Sequence, residues 1–145
     1  MAVRLSTGLR TFVADSGIAT AFDTTGRINI YTGAQPATAD TAASGTLLGT
    51  LTLAADSAGA AASGVVTFAT ITSDTSADAS GTAGYARFYR TGDTAPGTVG
   101  NGTTDRRLDC NIALTTGGDI NFDNITFVAG GTIAISSLTI TQPAS

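Results

Sequence analysis

The stretch "RRLDCNIAL", residues 106–114, decides how the rest of the sequence is interpreted. Apolar residues stand at every second position, and polar or charged residues stand between them. The apolar set is Leu108, Cys110, Ile112 and Leu114, and the polar set is Arg107, Asp109 and Asn111. This alternation is typical of a β-strand that turns its apolar set toward a core and its polar set outward.

Stretches of the same kind recur at short intervals along the chain. They are "GRINIYTG" (26–33), "TLLGTLTLA" (46–54), "GVVTFATIT" (64–72) and "GYARFYR" (84–90). In the second of them, Leu47, Leu51 and Leu53 are expected on one side. About seven short strands separated by turn residues predict an all-β protein, which we expect to be an antiparallel β-sandwich of the jelly-roll or Ig-like type.

Two C-terminal stretches change parity halfway, which predicts a β-bulge in each. "DINFDNITFV" (119–128) slips at Asp123–Asn124, and "GTIAISSLTITQP" (131–143) slips at Ser136–Ser137. One extra residue at each slip would return all the apolar side chains to one face. These side chains are Ile120, Phe122, Ile125, Phe127, Ile133, Ile135, Leu138 and Ile140. We expect "AGG" (129–131) to turn one bulged strand into the other as a hairpin.

The N-terminal segment departs from the strand pattern. In "LSTGLRTFVADSG" (5–17) the apolar residues recur at i, i+4, i+7 and i+8, which predicts one face of a short helix. Ser6 would cap its beginning, and Gly17 lies just past its end. We therefore expect a single domain, 1–145, in which a helical arm (1–17) precedes a β-sandwich (26–145).

The composition removes the side chains that most often carry catalysis. Of the 145 residues, 81 are Ala, Thr, Gly or Ser. All seven basic residues are Arg, all eleven acidic residues are Asp, and the sequence has no His, Lys or Glu. Imidazole titrates near neutral pH, whereas Asp ionises far below it. We predict that the protein is not an enzyme and has no cofactor.

Charge and hydropathy exclude several classes of partner. The net charge is −4, and the seven arginines are scattered, so no cationic patch is expected to bind nucleic acid. No apolar run approaches the roughly 18 residues of a membrane span. The first 17 residues have no continuous apolar region, so we expect no Sec signal peptide. One cysteine excludes an intrachain disulfide, and Cys110 fits a small core residue better than a nucleophile.

Two short motifs are candidate sites. Asp119, Asn121 and Asp123 have the spacing of the first ligands of a calcium loop. The Gly and Glu that such a loop needs further on are absent, so an outward strand face is the favoured interpretation. Asp105, Arg106, Arg107 and Asp109 form a charged cluster. We interpret it as a solvated or interface salt-bridge strand rather than as a glycosidase carboxylate pair, which requires a dry cleft.

Arginine and tyrosine provide the candidate contacts with a partner. Arginine is suited to two-point ion pairs at interfaces, so we predict contacts through Arg87, Arg90, Arg106 and Arg107. Tyr85 and Tyr89 flank Arg87 on one face of a predicted strand. We interpret the two tyrosines as part of the same interface patch, with a sugar-stacking platform as the alternative.

Four stretches together resemble small virion structural proteins of tailed bacteriophages. They are "MAVRLSTGLR" (1–10), "INIYTGAQPATAD" (28–40), "SGTAGYARFYR" (80–90) and "SSLTITQPAS" (136–145). The resemblance spans most of the chain, and the shared residues are packing and turn residues rather than catalytic ones. It implies a capsid cement or decoration subunit or a minor tail component, and it carries over no active-site residue.

Among these roles we expect a cement protein on the capsid surface, made in the cytoplasm of the bacterial host. It would bind the major capsid protein and copies of itself, as a dimer or trimer. The alternatives are a tail or baseplate subunit and a glycan-binding adhesion module of a fibre. Replacing Arg106 and Arg107 by Ala is expected to weaken attachment to the particle and to leave the isolated fold nearly intact.

Overall fold

The computed structural model describes residues 4–5, 17–59, 65–93 and 105–141. Strands dominate these ranges, and Ile18–Thr20 form a single turn of 3-10 helix. The strands are β1 (Arg4–Leu5), β2 (Arg27–Thr32), β3 (Leu47–Thr52), β4 (Val65–Thr67), β5 (Gly81–Tyr89), β6 (Arg107–Leu114), β7 (Ile120–Phe122), β8 (Thr126–Phe127) and β9 (Thr139–Thr141). The predicted all-β class is confirmed. Within these ranges no helix has the length and apolar character needed to cross a membrane.

The strands form two sheets. The larger sheet has the order β1-β6-β5-β2-β3, with β7 added to β6 and β8 added to β5. Its pairs are antiparallel except β6 with β7, which run parallel, so the sheet is mixed. The smaller sheet is the antiparallel pair β4-β9. The three longest pairings, β2 with β3 and with β5, and β5 with β6, make the centre of the larger sheet.

One face of the larger sheet carries the hydrophobic core. Ile28 and Ile30 of β2 and Phe88 of β5 are fully buried there. Cys110 of β6 belongs to the same core, as predicted. The side chains that cover this face include Phe22, which follows the 3-10 helix, and Phe68, which follows β4. The rings of Phe22 and Phe68 lie 5.5 and 5.7 Å from the ring of Phe88.

A bulge in β3 corrects one sequence prediction. Leu47 was expected to face the core with Leu51 and Leu53, but Leu47 is only half-buried and Leu48 is fully buried. Ile30 of β2 pairs with Gly49, whereas the next residue, Tyr31, pairs with Leu47. Leu48 is therefore the extra residue of a bulge. An extra residue reverses the alternation of side chains on the bulged strand.

The prediction that the two C-terminal stretches pair as a hairpin is wrong. The prediction that their apolar side chains face the core is confirmed. The segments around it join different strands: β7 pairs with β6, β8 with β5 and β9 with β4. The Gly131 N–H nevertheless donates to the Val128 carbonyl at 2.8 Å, so a turn does form at the "AGG" stretch. All eight apolar side chains of these segments are buried in the core or packed against it.

The predicted N-terminal helix falls mostly outside the described residues. Leu5, the first residue of its expected apolar face, belongs to β1 instead and pairs with Leu108 of β6. The remainder of that prediction, residues 6–16, lies outside the described ranges.

Candidate functional site

The face of the larger sheet opposite the hydrophobic core is covered by polar and aromatic side chains. Neighbouring residues on β2, β5 and β6 are aligned in three rows that cross the sheet. The rows are Arg27–Tyr89–Arg107, Asn29–Arg87–Asp109 and Tyr31–Tyr85–Asn111. We call these nine residues the polar layer. Seven of them are buried, and only Arg27 and Asn111 are half-buried.

The central row contains a fully buried ion pair. The Arg87 Nε and Nη2 atoms donate to the two Asp109 carboxylate oxygens at 2.6 and 2.7 Å. Its Nη1 atom donates to the Thr41 carbonyl at 2.6 Å. Burial lowers the pKa of the Arg87 guanidinium, but the hydrogen bond and charge of Asp109 outweigh it and raise the pKa. This arginine is therefore permanently charged and is held from both sides.

The first row stacks two cations on one tyrosine. The guanidinium carbons of Arg27 and Arg107 lie 4.9 and 5.5 Å from the centre of the Tyr89 ring. Arg107 also forms an ion pair with Asp93, at 2.5 Å from Nε and 2.9 Å from Nη2, while Arg27 donates to the Asp93 carbonyl at 2.5 Å. Both cations thus hold Asp93 against the sheet.

The third row connects the sheet to the loop between β2 and β3. The rings of Tyr31 and Tyr85 are stacked, with their centres 5.1 Å apart. The Tyr85 hydroxyl donates to the Ser44 carbonyl at 2.8 Å and accepts from the Ser44 N–H at 2.9 Å. Together with the bond from Arg87 to Thr41, these contacts fasten the 33–46 loop over the polar layer.

The tyrosines of the polar layer are not arranged for proton transfer. Burial raises the pKa of Tyr89, and its hydrogen bond with Tyr31 acts in the same direction. Burial also raises the pKa of Tyr85, more than its bonds to Ser44 lower it. Both phenols therefore stay neutral near pH 7, where they serve as hydrogen-bonding and packing groups. The polar layer connects the sheet to the 33–46 loop, through Thr41 and Ser44, and to Asp93.

The structure corrects where four predicted contact residues lie. Tyr85, Arg87 and Tyr89 share a sheet face, as the alternation predicted, and Arg107 of β6 lies on the same face, but each of the four is at most 1 % exposed. The 33–46 loop and Asp93 cover that face, so these side chains contact neighbours within the chain instead of a free surface. The tyrosines therefore present no surface platform for a sugar.

Arg90 and Arg106, the other two predicted contact arginines, are less buried than Arg87 and Arg107. Both are half-buried, so part of each side chain reaches the surface. Burial lowers the pKa of Arg106, and the nearby charge of Arg90 lowers it further. The two cations thus lie close enough for the charge of Arg90 to act on Arg106.

Two of the three candidate calcium ligands, Asp119 and Asn121, form local hydrogen bonds. The Asp119 carboxylate accepts from the Asn111 N–H at 3.0 Å. The Asn121 side-chain oxygen accepts from the Gly118 N–H at 2.9 Å, and its amide donates to the Gly118 carbonyl at 3.1 Å. In the part of the chain that the structure describes, no three His, Cys, Asp or Glu residues are grouped to hold a metal ion.

These residues line an open cleft of about 410 Å³ between β7 and residues 134–139. Asp119, Asn121 and Asp123 lie on one wall, and Ser136 and Ser137 lie on the other. The cleft is thus rich in hydrogen-bonding groups and in acidic charge.

Cys110 has no reactive surroundings. It is buried in the core, and burial, together with the charges of Asp119 and Asp109, raises the pKa of its thiol. A buried thiol whose pKa is raised stays protonated and is a poor nucleophile.

Comparison with known proteins identified no relative: no family model, no curated protein and no solved structure matches the chain. The sequence reasoning also missed the partners that bury the polar layer. Asp93, Thr41 and Ser44 lie in turns and loops. In the sequence they are distant from the arginines and tyrosines that they contact in the structure. Their sequence pattern carries no signal of those contacts, because each pairing depends on how a loop folds back over the sheet.

Proposed function

We propose that this protein is a structural protein of a bacteriophage virion, most simply a cement or decoration protein that binds the capsid surface and stabilises the head. The observation that carries the proposal is the polar layer. The chain uses Arg87, Asp109, Arg107 and Asp93 to fasten loops onto a sheet rather than to build a reactive cleft. Such a scaffold suits a protein that works through shape, as the sequence resemblance implies.

The architecture supports interpreting the fold as a β-sandwich in a single domain, in which every strand pair except β6 with β7 is antiparallel. The two-stranded sheet β4-β9 contributes Val66 to the core that packs against the larger sheet. The segment that leads into β9 contributes Ile135 and Leu138 to the same core. The central strands have the hydrophobic core on one face and the polar layer on the other. Movement of these strands would break close packing on the first face or buried ion pairs on the second, so the sheet resists deformation.

The proposed partners are the major capsid protein and other copies of this chain. Faces rich in Ala and Thr lose little side-chain entropy when they are buried, which favours many shallow contacts. A dimer or trimer on a symmetry axis of the lattice would multiply weak contacts through effective concentration. Of the predicted arginine contacts, Arg90 and Arg106 are the pair that reaches the surface.

The test is binding to capsid shells prepared from a deletion mutant of the phage that lacks this protein. Purified protein should co-sediment with the shells in a saturable manner and should raise the temperature at which they rupture. Electron microscopy of gold-labelled protein on whole virions gives the position, and label on the head supports the proposal. Label confined to the tail or baseplate would replace it with the tail-subunit alternative, and absence of binding to any part of the virion would reject both.

A further inference from the structure

Two strands at the border of the fold each have one edge that no other strand of the described ranges occupies. Among these strands, β7 pairs with β6 alone and β9 pairs with β4 alone. The main-chain N–H and C=O groups along an unpaired strand edge are available to bond to a further strand. The hydrogen bonds that β7 and β9 already form show which groups these are.

On β7 the groups at the unpaired edge belong to Asn121. Thr115, which follows β6, donates its N–H to the Phe122 carbonyl at 2.9 Å, so the main-chain groups of Phe122 point toward β6. Successive residues of a strand point these groups to opposite sides, so the N–H and C=O of Asn121 point away from β6. The Asn121 side chain bonds to Gly118, but no residue in the described ranges bonds to its main-chain N–H or C=O.

On β9 the corresponding groups belong to Thr139. The Phe68 N–H donates to the Leu138 carbonyl at 2.9 Å, and these two residues continue the register of β4 with β9. Opposite residues of antiparallel strands alternate between hydrogen-bonded and non-hydrogen-bonded pairs, so the N–H and C=O of Thr139 point away from β4. Its partner Thr67 fits this register, because the Thr67 carbonyl accepts from the Gly59 N–H instead. Nothing in the part of the chain that the structure describes bonds to these two groups of Thr139.

The two edges border one cleft. The walls of this cleft of about 410 Å³ are unbroken runs of residues, 119–123 on one side and 134–139 on the other. Successive side chains of a strand point to opposite faces, so an unbroken run lines a cleft only where the edge of the strand faces it. The cleft therefore separates the unpaired edge of β7, in the larger sheet, from the segment that leads into β9, in the smaller sheet.

The cleft has an apolar side and a polar side, like the sheets around it. Ile120, Ile135 and Leu138 line the cleft and are buried in the core. Asp123 and Ser136 also line it and are exposed. A strand placed between the two walls would turn every second side chain toward the core and the others toward solvent. The occupant that fits is an extended segment in which apolar and polar residues alternate.

We propose that this cleft accepts an extended, alternating segment of the major capsid protein, which adds a strand between β7 and β9. The N–H and C=O groups of the segment would bond to those of Asn121 on one wall and of Thr139 on the other. Strand addition of this kind gains affinity from main-chain hydrogen bonds and specificity from alternate side chains. The inference rests on the proposed function and deepens it, because it states how the capsid protein is bound.

A folded second copy of this chain fits the cleft less well. A strand that enters between two walls needs both of its edges free, and every strand in the described ranges is already paired within its own chain. A second copy would have to separate one of these strands from its sheet, whereas a loop or arm of another protein breaks no sheet when it binds. This selection rests on main-chain pairing rather than on charge, so the half-buried Arg90 and Arg106 of a second copy do not affect it.

The first experiment uses the same capsid shells and full-length variants. Asn121→Pro and Thr139→Pro each remove an N–H that faces the cleft, and proline is tolerated at edge positions whose N–H points outward. Each variant should weaken shell binding roughly tenfold, because a carbonyl oxygen of the bound segment is left unpaired. The matched controls are Asn121→Ala and Thr139→Ala, which lose the same side chains but keep the N–H. The controls should bind within about twofold of the wild type.

Hydrogen exchange gives a second readout that needs no variant. In the free protein the amides of Asn121 and Thr139 should exchange rapidly, because no described residue bonds to them. On shells their exchange should slow roughly tenfold or more, whereas exchange in β2, at the centre of the larger sheet, should stay the same. Mass spectrometry of peptides that cover 119–123 and 137–141 measures the change. Melting temperatures show whether the proline variants are folded, and if they are not, exchange in the wild type decides.

The possible results separate this inference from the proposed function. If the wild type fails to bind shells, the proposed function is rejected and the inference falls with it. If the wild type binds while both amides stay unprotected, or if folded proline variants bind as tightly as their alanine controls, the inference is rejected and the function stands. Protection of the two amides in concentrated protein without shells would also overturn the inference, because the occupant would then be a second copy of the chain.

Discussion

Arg87 and Asp109 lie directly opposite each other on β5 and β6, and their side chains form two hydrogen bonds of 2.6 and 2.7 Å with neither side chain exposed. The register of the sheet places the two residues side by side, and the 33–46 loop closes over them through Thr41. Removing water from two charges is costly, and the two bonds between the charges, together with the bond from Arg87 to the Thr41 carbonyl, offset that cost.

Breaking this pair should destabilise the protein severely. Arg87→Met leaves the Asp109 carboxylate buried without its cation, and we expect a loss of about 3–5 kcal/mol in the free energy of unfolding. The double variant Arg87→Met with Asp109→Leu should recover much of that loss, because no lone charge remains. Urea titration followed by circular dichroism measures both, and Arg90→Met is the control for a half-buried arginine. A single variant as stable as the wild type would contradict this account.

Replacing Arg107 by Ala should destabilise the protein far more than replacing Arg106 by Ala. The sequence had predicted that neither change would affect the isolated fold. Arg107 is 1 % exposed and pairs with Asp93, so Arg107→Ala should cost roughly 3–5 kcal/mol of stability. Arg106 is half-buried, and Arg106→Ala should stay within about 1 kcal/mol of the wild type. Thermal melting of the two single variants compares them directly. Equal melting temperatures would show that the bond between Arg107 and Asp93 contributes no net stability.

Stability should fall in alkaline solution. Burial raises the pKa of Tyr85, Tyr89 and Cys110 above their ordinary values of 10.0 and 9.0, so the folded state favours their protonated forms. Their contribution is fully present below about pH 9, and it is lost as the pH rises from there toward the folded-state pKa values. Above its own ordinary pKa, each group that releases its proton on unfolding lowers stability by up to about 1.4 kcal/mol per pH unit.

Tyr89→Phe isolates one of these groups. Above pH 10, the ordinary pKa of a tyrosine, the variant should reduce the slope of the unfolding free energy against pH by up to about 1.4 kcal/mol per pH unit, because one titrating phenol is gone. Denaturant titrations at several pH values between about 8 and 11 measure the slope. The loss of its hydroxyl contact with Tyr31 affects all pH values alike and is therefore separable. An unchanged slope would mean that Tyr89 does not titrate on unfolding.

Gly84 should not tolerate a side chain. A Cβ atom at this position would lie 1.8 Å from the Gly33 carbonyl oxygen and 2.7 Å from its carbonyl carbon. The contact is between two backbones, so relief requires moving a strand, and we expect Gly84→Ala to cost several kcal/mol. Gly59→Ala is the matched control, because nothing lies within 4 Å of its Cβ position. The melting temperature of the control should stay close to that of the wild type, and a similar drop in both would undermine the steric explanation.

Local pattern was sufficient to predict most of the strands. Alternation identified β2, β5 and β6 because a half-buried strand repeats every two residues, and this period survives whatever packs above it. The same reasoning placed Tyr85, Arg87 and Tyr89 on one face, and the register confirms that placement. The alternation did not predict the bulge at Leu48 or the strands that β7 and β8 pair with. Pairing between distant segments produces no periodic pattern in the sequence of either segment.

The sequence by itself therefore determined the all-β class, the faces of the central strands and the shortage of groups for acid–base catalysis, since all of these follow from residue type and spacing. Only the tertiary structure decided that the face bearing Arg87 and Arg107 is buried. An outward strand face and one covered by a loop have the same alternation, and the difference arises when Thr41, Ser44 and Asp93 fold over the sheet. The free energy of that closure comes from contacts between residues far apart in the chain, which no local pattern records.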